Sequence, residues 1–258
     1  MKKNRLIPLI TGAVLVVLGI IFVALTRSEA ILKEAPISSK MPFALSLIAV
    51  LIGAVMAISA LLPERRPTDT RTLAMAALFA ALCYIGFTYF RIDIPVGTEK
   101  TAFHLGNVFC VLAALFLGGM WGGLAGAVGM TLADLTTAYV TSAPKTFLLK
   151  LFIGLIAGLV AHKVFHISKD ASQRKVPLPI ATVLSCAAGM AFNVVADPVV
   201  GYFYKMYLMG VPQDAAKIWM KMGAVTTLVN AIVAVICASI FYLALRPALK
   251  KANLLPEI

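Results

Sequence analysis

The chain has 258 residues, of which 61% are hydrophobic and 13% charged, and its mean hydropathy is +0.94. A soluble globular domain is about half apolar and about a quarter charged, so the composition excludes that class and indicates a polytopic membrane protein. The formal net charge of +12 does not indicate nucleic-acid binding, because the Lys and Arg residues fall in short links between apolar runs, where they set topology and meet anionic headgroups.

The chain opens with MKKNRLIPLITGAVLVVLGIIFVALTR, a basic start followed by an apolar run. The run is about 20 residues, longer than a signal-peptide core, and no small-x-small cleavage site follows it, so it is read as a true span. Eight spans are predicted, at about 6–26, 42–62, 71–90, 104–119, 121–140, 145–165, 178–203 and 221–245. The fourth is short, and the turn from it into the fifth, Gly118-Gly119-Met120-Trp121-Gly122-Gly123, is very tight. The charged, proline-bearing link PERRPTDTR at 63–71 divides the chain. Residues 1–66 are predicted to form an added helical hairpin, 67–251 the functional unit and 252–258 a tail.

With the N-terminus inside, the inner links hold Lys2, Lys3, Arg5, Arg65, Arg66, Arg71, Lys163, Lys169, Arg174, Lys175, Arg246, Lys250 and Lys251, which are 13 of the 23 basic residues. This bias predicts both termini in the cytoplasm. Glu29, Glu34, Asp93, Glu99 and Asp214 then fall outside.

Polar residues inside the spans are costly and by default mark a site or pathway. On this topology Asp134 and Lys150 lie at similar depth on consecutive helices, about 8–9 Å below the outer rim. Asn193 and Asp197 share a face of the seventh span. Thr226, Thr227 and Asn230 follow the outer start of the last span, and His104 and Asn107 sit at the outer start of the fourth. The one-sided placement predicts a polar cavity that opens outward. Its candidate lining residues are Asp134, Lys150, Asn193, Asp197 and Asn230, then Asn107, Tyr139 and Thr146, with Tyr84 and Tyr89 available to stack on a ring. Blander roles stand beside these. Asp134 and Lys150 could pair with each other, Asn193 and Asp197 could satisfy backbone freed by Pro198, and Asn230 and the threonines could be interhelical glue.

Small-xxx-small spacings occur in the third span, at Ala76 with Ala80 and at Ala77 with Ala81, and again at Gly122 with Gly126 and Gly154 with Gly158. Such stripes let helices approach closely, either within the bundle or with an external partner. Cys83, Cys110, Cys186 and Cys237 lie in apolar runs with no C-x-x-C pair and read as inert packing residues. His162 and His166 are four apart at an inner helix end, and with no nearby acids they do not read as a metal site. The chain has no G-x-x-x-x-G-K-[ST], H-E-x-x-H or G-x-S-x-G motif, so neither ATP hydrolysis nor these enzyme chemistries are predicted, and no cofactor is.

The stretch HLGNVFCVLAALFLGGMWGGLAGAVGMTLADL, followed by APKTFLLKLFIGLIAGL, resembles the substrate-binding S components of energy-coupling factor (ECF) vitamin transporters, closest to the riboflavin/hydroxymethylpyrimidine-type group. The carriers are Leu105-Gly106, Gly118, Trp121-Gly122, Gly126, Asp134, Pro144 and Lys150, and the resemblance covers about 70–251. It implies an all-α bundle, a six-helix membrane module here preceded by the two-helix hairpin, in a bacterial cell membrane. It further implies capture of a vitamin from outside, a loop at about 91–104 that caps the substrate, and docking of a transmembrane coupling protein on Ala76/Ala80 or Ala77/Ala81. Two cytoplasmic ATPases would supply the hydrolysis this chain lacks. The rival reading is a stand-alone secondary transporter with Asp134 or Asp197 as its proton site.

Overall fold

The computed structural model describes residues 9–18, Gly53, 70–96, 99–169, 172, 174–252 and 254–255. Its elements are α1 (Leu9–Leu18), α2 (Thr70–Thr88), β1 (Arg91–Val96), β2 (Glu99–His104), α3 (Gly106–Leu135), α4 (Ala143–Leu159), α5 (Leu178–Phe203) and α6 (Gln213–Lys251). A 3-10 turn at Val140–Ser142 leads into α4, and π-helical turns at Val160–Val164 and Tyr204–Leu208 extend α4 and α5. Most of the predicted 42–62 span and of the 63–71 link lies outside the described residues.

The chain separates into two compact units, Met1–Leu61 with Gly201–Ile218, and Leu62–Val200 with Trp219–Ile258. In the first, Gly53 lies against α1, where a Cβ would stand 2.7 Å from the Gly12 carbonyl oxygen. Gly210, at φ +70°, turns the chain between α5 and α6. The second unit holds the hairpin, the polar cluster and the main core, built on Phe79, Cys83, Val111, Leu115, Phe116, Met130, Ile153 and Met190. Cys83, Cys110 and Cys186 are buried free thiols within the spans.

The tight turn predicted at 118–123 pivots on Gly118, whose φ of 79° and ψ of 168° suit glycine. The two limbs of α3 fold back on each other there: a Cβ on Gly122 would overlap the Ala113–Ala114 backbone, and one on Gly126 would overlap the Cys110 sulfur. In a straight helix residues 110 and 126 would stand about 24 Å apart. The second limb then packs backbone to backbone on α4 through Gly123 against Gly154 and Gly119 against Gly158. The predicted small-residue stripes on these helices are thus consumed inside the bundle.

Among the described residues five helical segments are long and apolar enough to cross a membrane, and counting α3 as two limbs gives six. The all-α multi-pass reading holds. Two details depart from it. Residues 91–104, expected as a loop, form a two-stranded antiparallel hairpin with Arg91 opposite His104 and Val96 opposite Glu99. The last helix runs 39 residues, well past the predicted 221–245, which at 1.5 Å per residue is about 58 Å, longer than a hydrocarbon core of about 30 Å.

Candidate functional site

Both strands of the hairpin and the turn after α3 lie at one end of the second unit. Tyr139 joins them, its hydroxyl donating to Asp93 Oδ1 at 3.0 Å. Beneath them, Asn107, Asp134, Thr146, Lys150, Asn193, Thr226, Thr227 and Asn230 are all buried. The opposite end is held by other contacts: His162 Nε2 against the Ala114 carbonyl (3.2 Å), His162 Nδ1 against Ser168 (2.8 Å), and Arg246 donating to the Ile167 carbonyl (3.0 Å). Both ring nitrogens of His162 are therefore engaged in packing contacts. Among the described residues no three His, Cys, Asp or Glu side chains could hold a metal ion.

The acids and bases pair differently from the simplest expectation. Lys145, at the start of α4, meets Asp197 Oδ1 on α5 at 2.7 Å, and Thr227 of α6 donates to Asp197 Oδ2 at 2.9 Å. Asp197 thereby ties three helices together through side chains, so its carboxylate is not spent on the backbone freed by Pro198. Asp134 and Lys150 do not form an ion pair within 4.0 Å. The Thr146 hydroxyl serves the Asp134 carboxylate, and Lys145 and Lys150 lie within electrostatic reach of it. Lys150 is only 7% exposed, and among the described residues its ammonium has no carboxylate partner in contact.

Among the described residues, several buried polar atoms here have no hydrogen-bond partner: Asn107 Oδ1, Asp134 Oδ2, Asn193 Oδ1, His104 Nδ1 and Arg91 Nη1. Each such group costs about 1–3 kcal/mol when left unmet, and folded proteins leave few of them. Three are acceptors on α3 and α5. A bound molecule that offers N–H or O–H groups to them and an acceptor to Lys150 would satisfy the set.

The remaining expected residues take other roles. Asn230 gives its amide to the β2 backbone, accepting from the His104 N–H and donating to the Ala102 carbonyl, each at 3.0 Å. Thr226 donates to its own helix at Met222. Tyr139 braces the hairpin: its ring packs edge-on against Phe87 and faces the Arg91 guanidinium at 5.5 Å. Tyr84 accepts from Thr136, and Tyr89 is 72% exposed. The aromatic groups gathered at the hairpin are Phe87, His104 and Tyr139, with Phe87 and His104 edge to face at 4.7 Å. Burial pushes the His104 imidazole down to about 3, with the Lys150 charge adding to the effect. Burial, then the hydrogen bond to Asp93, pushes the Tyr139 hydroxyl above its ordinary range.

Sequence reasoning did not select Lys145, Arg91 or Phe87. Lys145 follows Pro144 at a helix rim, where a charge reads as interfacial. Arg91 pairs with Asp93 at 3.0 Å and lies 5.7 Å from the Phe87 ring. Its signal was the alternation of Ile92, Ile94 and Val96, which marks a strand and puts Arg91 and Asp93 on the other face.

On α2, Ala76 is buried and Ala80 half-buried, packed against Gly129 of α3, whereas Ala77 and Ala81 are exposed beside Leu78 and Ile85.

Residues 68–247 match a family model described as ECF-type riboflavin transporter, S component. No curated protein and no solved structure matches the chain.

Proposed function

Because the chain belongs to the S-component family of ECF-type riboflavin transporters, a family of membrane transporter subunits, we propose that it captures a water-soluble vitamin or precursor at the outer face of a bacterial cell membrane. Riboflavin is the first candidate, from the family description. A transmembrane coupling protein and two cytoplasmic ATPases would complete the importer, with both termini of this chain in the cytoplasm. The observation that carries the reading is the buried polar cluster beneath the β1–β2 hairpin, where, among the described residues, acceptors on Asn107, Asp134 and Asn193 are unmet and Lys150 has no carboxylate within 4.0 Å. Heteroaromatic vitamins bearing hydroxyl and ring N–H groups offer what those acceptors lack, and a ring carbonyl would face Lys150. The exposed Ala77/Ala81 face of α2 supports close approach of a partner helix.

The test begins with protein purified in mild detergent. Native mass spectrometry identifies any small molecule carried along, and riboflavin titration follows quenching of the vitamin's own fluorescence. Saturable binding, weakened by Asp134→Ala and Asn193→Ala, supports the reading. Ala77→Leu with Ala81→Leu should then abolish assembly with the coupling protein and leave binding intact. A protein that stays empty with every vitamin tried, yet drives uptake alone in a way a protonophore stops, would be a secondary transporter instead.

A further inference from the structure

The hairpin that covers the polar cluster is, among the described residues, a sheet of two strands only, so the outer edge of β2 has no strand beside it. In a β-strand the carbonyl of one residue and the N–H of the residue two further on point the same way, and both need partners when buried. On β2 these groups are the Ala102 carbonyl and the His104 N–H, and Ala102 is 6% exposed. Asn230, on α6, meets both: its Oδ1 accepts from the His104 N–H at 3.0 Å and its Nδ2 donates to the Ala102 carbonyl at 3.0 Å. A carboxamide presents its oxygen and an N–H side by side, as one residue on the edge of a neighbouring strand presents its C=O and N–H. One side chain therefore supplies what a third strand would, across 126 and 128 residues of sequence.

We infer that Asn230 is a positioning residue that clamps the β1–β2 hairpin over the site, so that ligand admission and release require these two hydrogen bonds to break. The same helix anchors the cluster below: Thr227, three residues earlier, donates to Asp197, which holds Lys145. One turn of α6 thus connects the covering hairpin to the ion pair between α4 and α5. The other anchors of the hairpin do not replace the clamp. Tyr139 holds β1 through Asp93, and the Leu105 N–H holds the strand's exit through the Gly86 and Phe90 carbonyls. Only Asn230, among the described residues, grips the open edge of β2 by side-chain hydrogen bonds. Its functional meaning rests on the substrate-capture reading, whereas the clamp itself does not.

The experiment uses the full chain in lipid nanodiscs, as wild type, Asn230→Ala and Asn230→Asp. Amide hydrogen exchange is followed over the 99–104 segment and, as a reference, over the first limb of α3. Riboflavin association and dissociation rates are measured by stopped-flow fluorescence. In Asn230→Ala, exchange in 99–104 should rise about tenfold with the α3 reference unchanged, and both riboflavin rates should rise about tenfold together, leaving Kd within about threefold. Asn230→Asp keeps the acceptor for His104 and loses the donor for Ala102, so its exchange should fall between. Wild-type exchange in both variants would overturn the clamp. Unchanged exchange with a Kd weakened through dissociation alone would place Asn230 on the ligand and also overturn it. Wild-type protein that binds no riboflavin would count against the substrate, and the exchange data would still decide the clamp.

Discussion

Lys145 and Asp197 meet at 2.7 Å between α4 and α5, while Lys150, five residues further along α4, has no carboxylate within 4.0 Å among the described residues. Two lysines on one helix therefore do different work. The first is structural: its ion pair is mostly buried, with side-chain exposures of 16% and 25%, and Thr227 completes the carboxylate. Removing one partner of such a pair strands the other charge. Asp197→Leu should cost about 2 kcal/mol of stability and Lys145→Met a similar amount, and the Lys145→Met/Asp197→Leu double variant should lose less than the two together. Thermal melts of the two single variants and the double in one detergent check this; additive losses would mean that the contact carries no coupling.

Lys150→Met is the complementary case. An ammonium buried with no counter-ion is destabilising, so an apolar side chain of similar length should leave the melting temperature unchanged or raised. If Lys150 serves the ligand, riboflavin affinity should fall at least about tenfold in the same protein. A lower melting temperature with unchanged affinity would make Lys150 a structural residue.

Asp134, Lys150, Asn193 and Asp197 were legible because an ionisable or amide group in an apolar run is costly unless it meets a partner or serves a site. The Gly118 reversal was legible in its run of glycines. The partners of these polar groups were not. Lys145 looks like any rim cation until α5 brings Asp197 to it, a contact 52 residues away in sequence. Asn230 was visible as a polar residue, but its use on a strand edge depends on a hairpin of two six-residue strands, too short to register among spans of about 20 residues. The end of α6 was misjudged because hydropathy marks where lipid begins, and a helix can continue past that point on propensity alone.

The glycine contacts give a prediction independent of ligand. A Cβ on Gly154 or Gly158 would overlap the backbone of Gly123 or Gly119, and backbone cannot swing aside as a side chain can. Gly154→Ala and Gly158→Ala should each cost at least about 1–3 kcal/mol and reduce the monodisperse fraction after extraction. Gly223→Ala is the control, since a Cβ there meets nothing within 4 Å and gains up to about 1 kcal/mol of helix propensity. A Gly154→Ala protein as stable as Gly223→Ala would contradict the close packing of α3 on α4.

His104 makes the hairpin sensitive to acid. Burial, helped by the Lys150 and Arg91 charges and opposed by Asp197, lowers its value from the ordinary 6.5 to about 3. Between these values an undocked or unfolded hairpin binds a proton that the docked one refuses, so stability rises with pH across the window. The contribution is fully present above about pH 6.5 and is lost as pH falls toward 3. Its slope is at most about 1.4 kcal/mol per pH unit. Hydrogen exchange of residues 99–104 should therefore accelerate from pH 7 to pH 5 beyond the intrinsic pH effect, and the melting temperature should drop over the same range. His104→Phe keeps a ring against Phe87 and cannot take up the proton, so its exchange and melting temperature should follow a flatter pH course. An identical pH course in wild type and His104→Phe would assign the acid sensitivity to the carboxylates instead.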